Sequence, residues 1–170
     1  NVAQNVEKCI EGCKLELDRL VLRSLASAEA VLSESDKEMG VCLVDIGASV
    51  CDVAIFYQGT VRHTAVLRIG GDQVTNDVGI GLHTMYEDAE KIKLQYGAAV
   101  YPQYEQNEAY FDVPTIGNSA KKLSQQVLIG FIKPRMEELF DFLYKEILRS
   151  GLEKRLGAGI VLTGGAAQLP

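Results

Sequence analysis

A single carboxylate stands where a predicted buried strand meets a glycine turn. Asp45 directly follows the apolar run 41–44, and Gly47 comes two residues later. A charge beside a buried apolar run is costly unless something binds it, so packing explains Asp45 poorly, although capping of an ordinary hairpin is an alternative. Backbone N–H groups in such a turn can form an anion-binding concavity. The pattern favours a site for a phosphate group and its metal ion.

Two more glycine turns occur further along the chain. Residues 70–72 read Gly-Gly-Asp, and the apolar run 159–163 ends on the sequence Gly-Gly-Ala at 164–166. Glycine lets a backbone approach a ligand closely, and a helix beginning just beyond 164–166 would direct its N-terminus at anionic or polar groups. Both turns are therefore candidate ligand contacts.

An acidic and a basic residue share one face of a predicted helix over 86–96. Glu90 and Lys93 are three residues apart and lie away from an apolar stripe that includes Ala89 and Ile92. On residue types alone, the simplest interpretation is an exposed ion pair worth about a few tenths of a kcal/mol.

The elements that must position Asp45 form a predicted β-meander over 40–71. The apolar run 41–44 precedes an alternating strand over 53–57, a Gln-Gly turn and a third strand over 61–69. His63 shares the apolar face of the third strand and is interpreted as a cross-strand packing residue.

The remaining elements follow from apolar periodicity and helix-end signals. Before the meander we expect a helix over 5–13, a strand over 15–22, a helix opened by Ser27 over 27–32 and a solvated acidic connector over 34–38. After it we expect a helix N-capped by Asp72 and ending at His83, a helix over 86–96 ending at Gly97, an irregular segment over 98–109 and a strand over 110–116. A long helix over 119–150 follows, with Pro134 kinking or restarting it and Gly151 closing it.

Composition excludes several classes of protein. The 170 residues are 47% hydrophobic and 24% charged, with a net charge of −6, which argues against a non-specific nucleic-acid surface. No apolar run approaches the roughly 18 residues of a membrane-spanning helix. Cys9, Cys13, Cys42 and Cys51 are expected to be reduced structural residues of a cytoplasmic protein. The first residue is not Met and the chain ends just after a glycine segment, which indicates a fragment.

Four segments, read in order, resemble one protein family. They are AVLSESDKEMGVCLVDIG (30–47), RHTAVLRIGGDQVTNDVGIGL (62–82), EDAEKIKLQYG (87–97) and AGIVLTGGAAQLP (158–170). Their order and spacing resemble the FtsA family of bacterial cell-division proteins, in the actin/Hsp70 ATPase superfamily, over essentially the whole chain. The resemblance implies an α/β, actin-like ATPase (ribonuclease-H-like) fold.

The resemblance also implies how the chain is divided. Residues 1–38 would be the tail of a first lobe and the helix that crosses into the second lobe. Residues 39–83 and 152–170 would form the larger subdomain of the second lobe, and residues 84–151 its smaller, inserted subdomain.

The nucleotide site of the family maps onto nine positions. The resemblance implies ATP contacts from Asp45, Gly47, Ala48, Ser49, Glu90, Lys93, Gly164, Gly165 and Ala166. Asp45 would hold Mg²⁺ through water, because this ion keeps most of its hydration shell. Glu90 and Lys93 would bind the ribose and adenine, with the glycine segment on the other side of the adenosine.

The phosphate turn departs from the family pattern Asp-X-Gly-Gly-Gly-Thr. Residues 45–50 read Asp-Ile-Gly-Ala-Ser-Val, without the last two glycines and the threonine. A left-handed conformation at Ala48 or Ser49 would cost roughly 1–2 kcal/mol each, and the missing hydroxyl forfeits a hydrogen bond of roughly 1.5–3 kcal/mol. We therefore predict ATP binding with little discrimination against ADP, and at most weak ATPase activity.

The function that the resemblance implies is that of a scaffold. Members of the family bind ATP, polymerise and tether FtsZ filaments to the inner membrane through an amphipathic C-terminal helix, which this chain lacks. The C-terminal tail of FtsZ would bind the smaller subdomain at Arg135, whose guanidinium suits an acidic peptide; an ordinary pair with Glu138 is the alternative. The expected location is cytoplasmic, at the inner face of the cell membrane at the division site.

Two other functions remain open at this stage. One is an ATP-dependent phosphotransferase of the sugar-kinase type, which would need an acid or base from outside this chain. The other is the pilus-assembly protein PilM, whose turn more often reads Asp-Ile-Gly-Ala. The segments RHTAVLRIGG (62–71) and LTGGAAQLP (162–170) favour the FtsA family over PilM.

Overall fold

A mixed four-stranded sheet forms the centre of this computed structural model, which describes residues 2–101, 110–115 and 118–170. Its strands are β1 (Val41–Ile46), β2 (Cys51–Tyr57), β3 (Thr60–Leu67) and β6 (Gly159–Thr163). Their spatial order is β3-β2-β1-β6, with β1 and β6 parallel and the other pairs antiparallel. A separate antiparallel pair consists of β4 (Tyr110–Thr115) and β5 (Asn118–Ser124).

Helices cover both faces of the sheet. The α-helices of the described residues are α1 (Val2–Gly12), α2 (Arg23–Val31), α3 (Glu34–Met39), α4 (Gly71–Leu82), α5 (Tyr86–Tyr96) and α6 (Gln125–Ser150). One face of the sheet packs against the C-terminal half of α6 through residues such as Val53 and Leu143. The other face packs against α2 through Leu43 and Ala28. Because β1 and β2 are buried on both faces, the run 41–44 is apolar throughout rather than alternating.

A second core lies beside the sheet. It joins α4, α5, β4 and the N-terminal half of α6 through residues that include Val78, Ile92, Phe111 and Ile132. Since α6 contributes to both cores, it fixes where α4 and α5 stand relative to β1. The subdomain boundaries drawn from the sequence remain a prediction.

The predicted meander is confirmed, as is the helix over 86–96. The turn between β2 and β3 is formed by Gln58 and Gly59, both with positive φ. Gly97 follows α5, and Gly151 caps α6 at φ +69°. These elements can be predicted from the sequence because alternation and turn residues are local signals.

The predicted strand over 15–22 is wrong. The segment has no regular secondary structure, and Leu15, Leu20 and Leu22 are more than half exposed. A strand needs a neighbour to pair its backbone groups, and none of the described strands lies alongside this segment.

The predictions for residues 27–38 also need correction. The helix begins at Arg23, so Ser27 lies inside it, and the supposed connector is the helix α3. Ser33 begins α3 with a capping box, in which its hydroxyl accepts from the Asp36 N–H at 3.2 Å and its own N–H donates to Asp36 at 2.9 Å. The acidic run that suggested a solvated segment is therefore partly a helix-capping signal.

Two predictions in the C-terminal half are revised. The chain is a strand, β5, up to Ser124, and α6 begins only at Gln125. α6 does not restart at Pro134, because buried residues on both sides of the proline, Ile132 and Met136, hold one helix against the second core; a kink there stays a prediction. Of the segment 98–109 only 98–101 are described and have no helix or strand, and Ile116 lies outside the described residues.

Two side-chain roles also differ from the predictions. The N-cap of α4 is Gly70, whose N–H donates to Gln73 Oε1 at 2.8 Å, so Asp72 does not cap the helix. His63 does not simply pack across strands, because its Nε2 lies 2.7 Å from Glu146 Oε1 on α6. His83 ends α4 as expected, in a left-handed conformation.

All four cysteines are free thiols. Cys42 and Cys51 are buried in the sheet, where burial raises the pKa of each thiol to about 12. Cys9 and Cys13 are exposed at the end of α1 and do not contribute to the buried core. Across the described residues, none of the helices combines the length and apolar character needed to cross a bilayer.

Candidate functional site

A cavity of about 380 Å³ lies where β1, α4, α5 and the segment after β6 converge. Six of the nine predicted nucleotide contacts line it: Gly47, Ala48, Glu90, Lys93, Gly165 and Ala166. Its other walls include the apolar side chains of Val74, Leu94, Met136 and Leu169. The cavity therefore has a backbone-lined end near the turn after β1 and an apolar end beside a charged pair.

The turn after β1 is tied to the start of α4. The N–H of Gly71 donates to the Gly47 carbonyl at 3.0 Å, and the N–H of Asp72 donates to the Ala48 carbonyl at 2.8 Å. A Cβ on Gly70 would lie 2.5 Å from the Ala48 oxygen, so only glycine permits this approach. These first N–H groups of α4 bind the turn rather than facing a ligand.

Ser49 does not line the cavity, and its side chain is engaged by Asp72 of α4, which does line it. Its hydroxyl donates to Asp72 Oδ2 at 2.6 Å, and the Tyr86 hydroxyl donates to Asp72 Oδ1 at 2.9 Å. The hydrogen bond from Ser49, assisted by that from Tyr86, lowers the pKa of Asp72, which is thus a carboxylate at neutral pH. Neither Ala48 nor Ser49 has a positive φ, so the turn lacks the backbone strain considered above.

Asp45 lies beside the cavity rather than in its wall. Its Oδ2 accepts a hydrogen bond from the Ser27 hydroxyl of α2 at 2.6 Å. Gly164 fits closely behind it, because a Cβ there would lie 2.6 Å from Asp45 Oδ1 and 2.5 Å from the Ile46 carbonyl oxygen. Two elements from distant parts of the chain therefore orient this carboxylate.

Glu90 and Lys93 are not an exposed surface pair. Lys93 is 9% exposed, and its Nζ lies 2.6 Å from Glu90 Oε2, 2.8 Å from Thr75 Oγ1 and 3.3 Å from the Gly71 carbonyl. An ammonium group has three donors, so these three acceptors account for all of them. The Thr75 hydroxyl also contacts Glu90. About a third of the Glu90 side chain is exposed. Its carboxylate can therefore still accept hydrogen bonds from a ligand in the cavity.

Arg135 lies outside the cavity and is already engaged. Its Nε donates to Asp77 Oδ2 at 2.6 Å, its Nη2 donates to Asp77 Oδ1 at 3.1 Å, and Nη1 contacts Glu138. The paired carboxylate of Asp77 raises the pKa of this guanidinium. Arg135 thus joins α6 to α4, and the ordinary pair with Glu138 is present together with this second, bidentate pair.

Sequence reasoning missed several residues of the site. The sequence predicts Asp72 as a helix cap, and it does not predict contacts from Thr75 or Ser27. The one available signal for Thr75 was its position three residues after Asp72 on a helix that starts at a glycine turn. No local pattern pointed to Ser27, which lies 18 residues from Asp45.

The carboxylates of the site suit a metal ion that is bound through water better than one that is bound directly by several side chains. Within the described part of the chain, no three His, Cys, Asp or Glu side chains lie close enough to hold a metal ion by themselves. Mg²⁺ commonly uses one or two carboxylates together with water and ligand phosphates. Asp45, half-buried at the strand end, fits that role.

The sheet topology and the cavity at its glycine turns define an actin-like ATPase fold. MreB5 of Spiroplasma citri bound to ADP matches with a TM-score of 0.79 at 16% identity, covering 98% of this chain and 54% of that one. A MamK double helical filament matches with a TM-score of 0.59 at 21% identity, covering 76% of this chain and 42% of that one. At these identities the likeness shows the fold alone, and the predicted fold class is confirmed.

Sequence similarity narrows the class to one family. The family described as Cell division protein FtsA matches residues 42–170. Cell division protein FtsA of Pseudomonas aeruginosa is 47% identical over 170 residues, which cover 99% of this chain and 40% of that protein. The chain belongs to the FtsA family, as the resemblance predicted, and neither the kinase nor the PilM alternative is favoured. It spans about 40% of the length of the curated relatives it matches.

Proposed function

We propose that the full-length protein is a cell-division scaffold that binds ATP with Mg²⁺, polymerises and tethers FtsZ filaments to the inner face of the cell membrane. The observation that carries the nucleotide proposal is the cavity of about 380 Å³ in which six predicted contacts meet. A structural neighbour is bound to ADP, and another forms a double helical filament.

The cavity suggests how the nucleotide lies. We expect the adenine to lie between Leu94, Met136 and Leu169 and the ribose to lie beside Glu90, because these residues line the cavity. The phosphates then extend toward Gly47 and the Mg²⁺ ion held through water by Asp45. Lys93 orients Glu90 rather than donating to the ligand, because its three donors are occupied within the protein.

Glu90→Gln in the full-length protein is expected to weaken adenosine and ATP binding by roughly tenfold to a hundredfold. A hydrogen bond to a charged group contributes about 1.5–3 kcal/mol, and each 1.4 kcal/mol corresponds to about a tenfold change in Kd. Isothermal titration calorimetry measures both ligands. Glu87→Gln, on an exposed position of the same helix, is the matched control and should leave both affinities unchanged. Equal affinities for all three proteins would remove Glu90 from the site.

The phosphate turn is expected to bind ATP and ADP with similar affinity. Ser49 donates to Asp72 instead of a ligand, and Val50 has no hydroxyl to replace it. Neither Ala48 nor Ser49 has a strained, left-handed backbone, so replacing them with glycine is unnecessary. Val50→Thr alone adds a hydroxyl donor for the phosphates and should tighten ATP binding more than adenosine binding. Calorimetry with both ligands measures this, and tight, ATP-selective binding by the unaltered turn would contradict it.

We also propose that the tail of FtsZ binds near Arg135. If the guanidinium contacts an acidic tail directly, Arg135→Ala should weaken binding about tenfold or more, whereas Asp77→Asn should not weaken it, since that change makes the guanidinium more available. A fluorescent tail peptide titrated against each full-length variant measures the affinities. Equal losses in both variants would show that the Arg135–Asp77 pair acts only by joining α4 to α6.

A further inference from the structure

An arginine of α2 reaches a buried carboxylate next to the phosphate turn. Nε of Arg23 donates to Asp52 Oδ2 at 2.6 Å, and Nη2 contacts the same oxygen. The Asp52 side chain is only 10% exposed, whereas that of Arg23 is 57% exposed. One edge of the guanidinium is thus anchored while the remainder is open to solvent.

The strand register places this pair directly beside Asp45. Asp52 of β2 is the antiparallel partner of Asp45 in β1, so the two carboxylates lie on the same face of the sheet with Cα atoms about 4.5–5.5 Å apart. Like charges in that position repel each other. Helix α2 relieves the repulsion from one side, because Arg23 and Ser27 are four residues apart on one face and contact Asp52 and Asp45 respectively.

Several candidate phosphate donors around the turn are already occupied. The first N–H groups of α4 bind the carbonyls of Gly47 and Ala48, and Lys93 has no donor left. Three carboxylates, those of Asp45, Asp52 and Asp72, surround the turn, and their charges oppose a polyphosphate. Arg23 has five N–H donors, of which two contact Asp52, and a guanidinium matches phosphate geometry.

We propose that Arg23, held by Asp52, binds the phosphate end of the nucleotide and replaces the donors that the turn of this chain lacks. The inference rests on the proposed nucleotide function. In this arrangement Arg23 of α2 contacts the phosphates, while residues of α5 remain the contacts for the ribose and base. Asp52 is then a positioning residue that keeps the guanidinium at the mouth of the turn.

The test is a set of calorimetric titrations of the full-length protein with Mg-ATP, adenosine and magnesium tripolyphosphate. Arg23→Gln is expected to weaken ATP and tripolyphosphate tenfold or more and to leave adenosine unchanged. Asp52→Asn keeps one acceptor for the guanidinium but removes the charge that anchors it, so it is expected to weaken both phosphate ligands less than Arg23→Gln does. Arg62→Gln removes an equal charge at the opposite end of β3, where Arg62 contacts Tyr57 and Gln58, and should change nothing.

Each alternative outcome has a separate meaning. If Arg23→Gln and Asp52→Asn weaken ATP equally, or the double variant regains the affinity of the unaltered protein, the pair is structural and the proposal is overturned. Unchanged ATP affinity in Arg23→Gln also overturns it. If the unaltered protein binds tripolyphosphate through Arg23 but no adenosine, the nucleotide function fails while the phosphate site stands. If the unaltered protein binds none of the three ligands, both the nucleotide function and the phosphate site are overturned.

Discussion

Gly164→Ala is expected to destabilise the full-length protein by about 2–5 kcal/mol and to abolish measurable binding of Mg-ATP. The residue has φ +91°, where a side chain costs roughly 1–2 kcal/mol. The added Cβ would also lie 2.5 Å from the Ile46 carbonyl oxygen and 2.6 Å from Asp45 Oδ1. Forced overpacking of this kind costs about 1–3 kcal/mol, and because one of the atoms is backbone, β1 or β6 must shift.

The neighbouring glycine supplies the control. A Cβ on Gly165 meets nothing within 4 Å, so Gly165→Ala should leave the free energy of unfolding nearly unchanged. Chemical denaturation measures stability in both variants, and calorimetry measures ATP binding wherever the protein remains folded. Equal stability of Gly164→Ala and Gly165→Ala would contradict the close contact between Gly164 and Asp45.

Lys93→Met is expected to lower the free energy of unfolding without nucleotide by about 2–4 kcal/mol. The change removes a donor that the buried Thr75 hydroxyl and the Gly71 carbonyl now share. The Gly71 carbonyl keeps the hydrogen bond from Thr75 at 3.0 Å, so the Thr75 oxygen is the group left without a donor, and an unsatisfied buried group costs about 1–3 kcal/mol. Removing one partner of a fully buried pair costs about 3–5 kcal/mol. The expected loss is smaller here because a third of the Glu90 side chain is exposed and can regain water.

Lys91 on the same helix provides the comparison. Its side chain is 72% exposed and pairs with Asp88 at 3.1 Å, and exposed pairs of this kind contribute roughly 0–1 kcal/mol. Lys91→Met should therefore change stability by less than about 1 kcal/mol. If Lys93→Met were as mild as Lys91→Met, the network with Thr75 would not hold α4 to α5, and Lys93 would be free to serve the ligand directly.

The family, the fold class and the elements with local signals follow from the amino-acid sequence alone. The strands β1 to β4 and the helices α1, α4 and α5 follow from alternation, helical spacing and glycine turns within windows of about ten residues. The family follows because four segments occur in register, and most of the predicted site then meets in one cavity. Local signals failed at 15–22 and 119–124, because a short segment fits more than one structure and the choice depends on which neighbours are present.

Which side chains meet across elements is set by how those elements pack in three dimensions. Spacing along one helix placed Lys93 away from the apolar stripe, but only the packing of α4 on α5 covers that face and turns an apparent surface pair into a buried network. In the same way, Arg135 has Asp77 as a partner 58 residues away, and Arg23 has Asp52 as a partner 29 residues away. A linear pattern records distance along the chain, whereas burial and charge pairing depend on distance in space, which the packing of helices on the sheet sets.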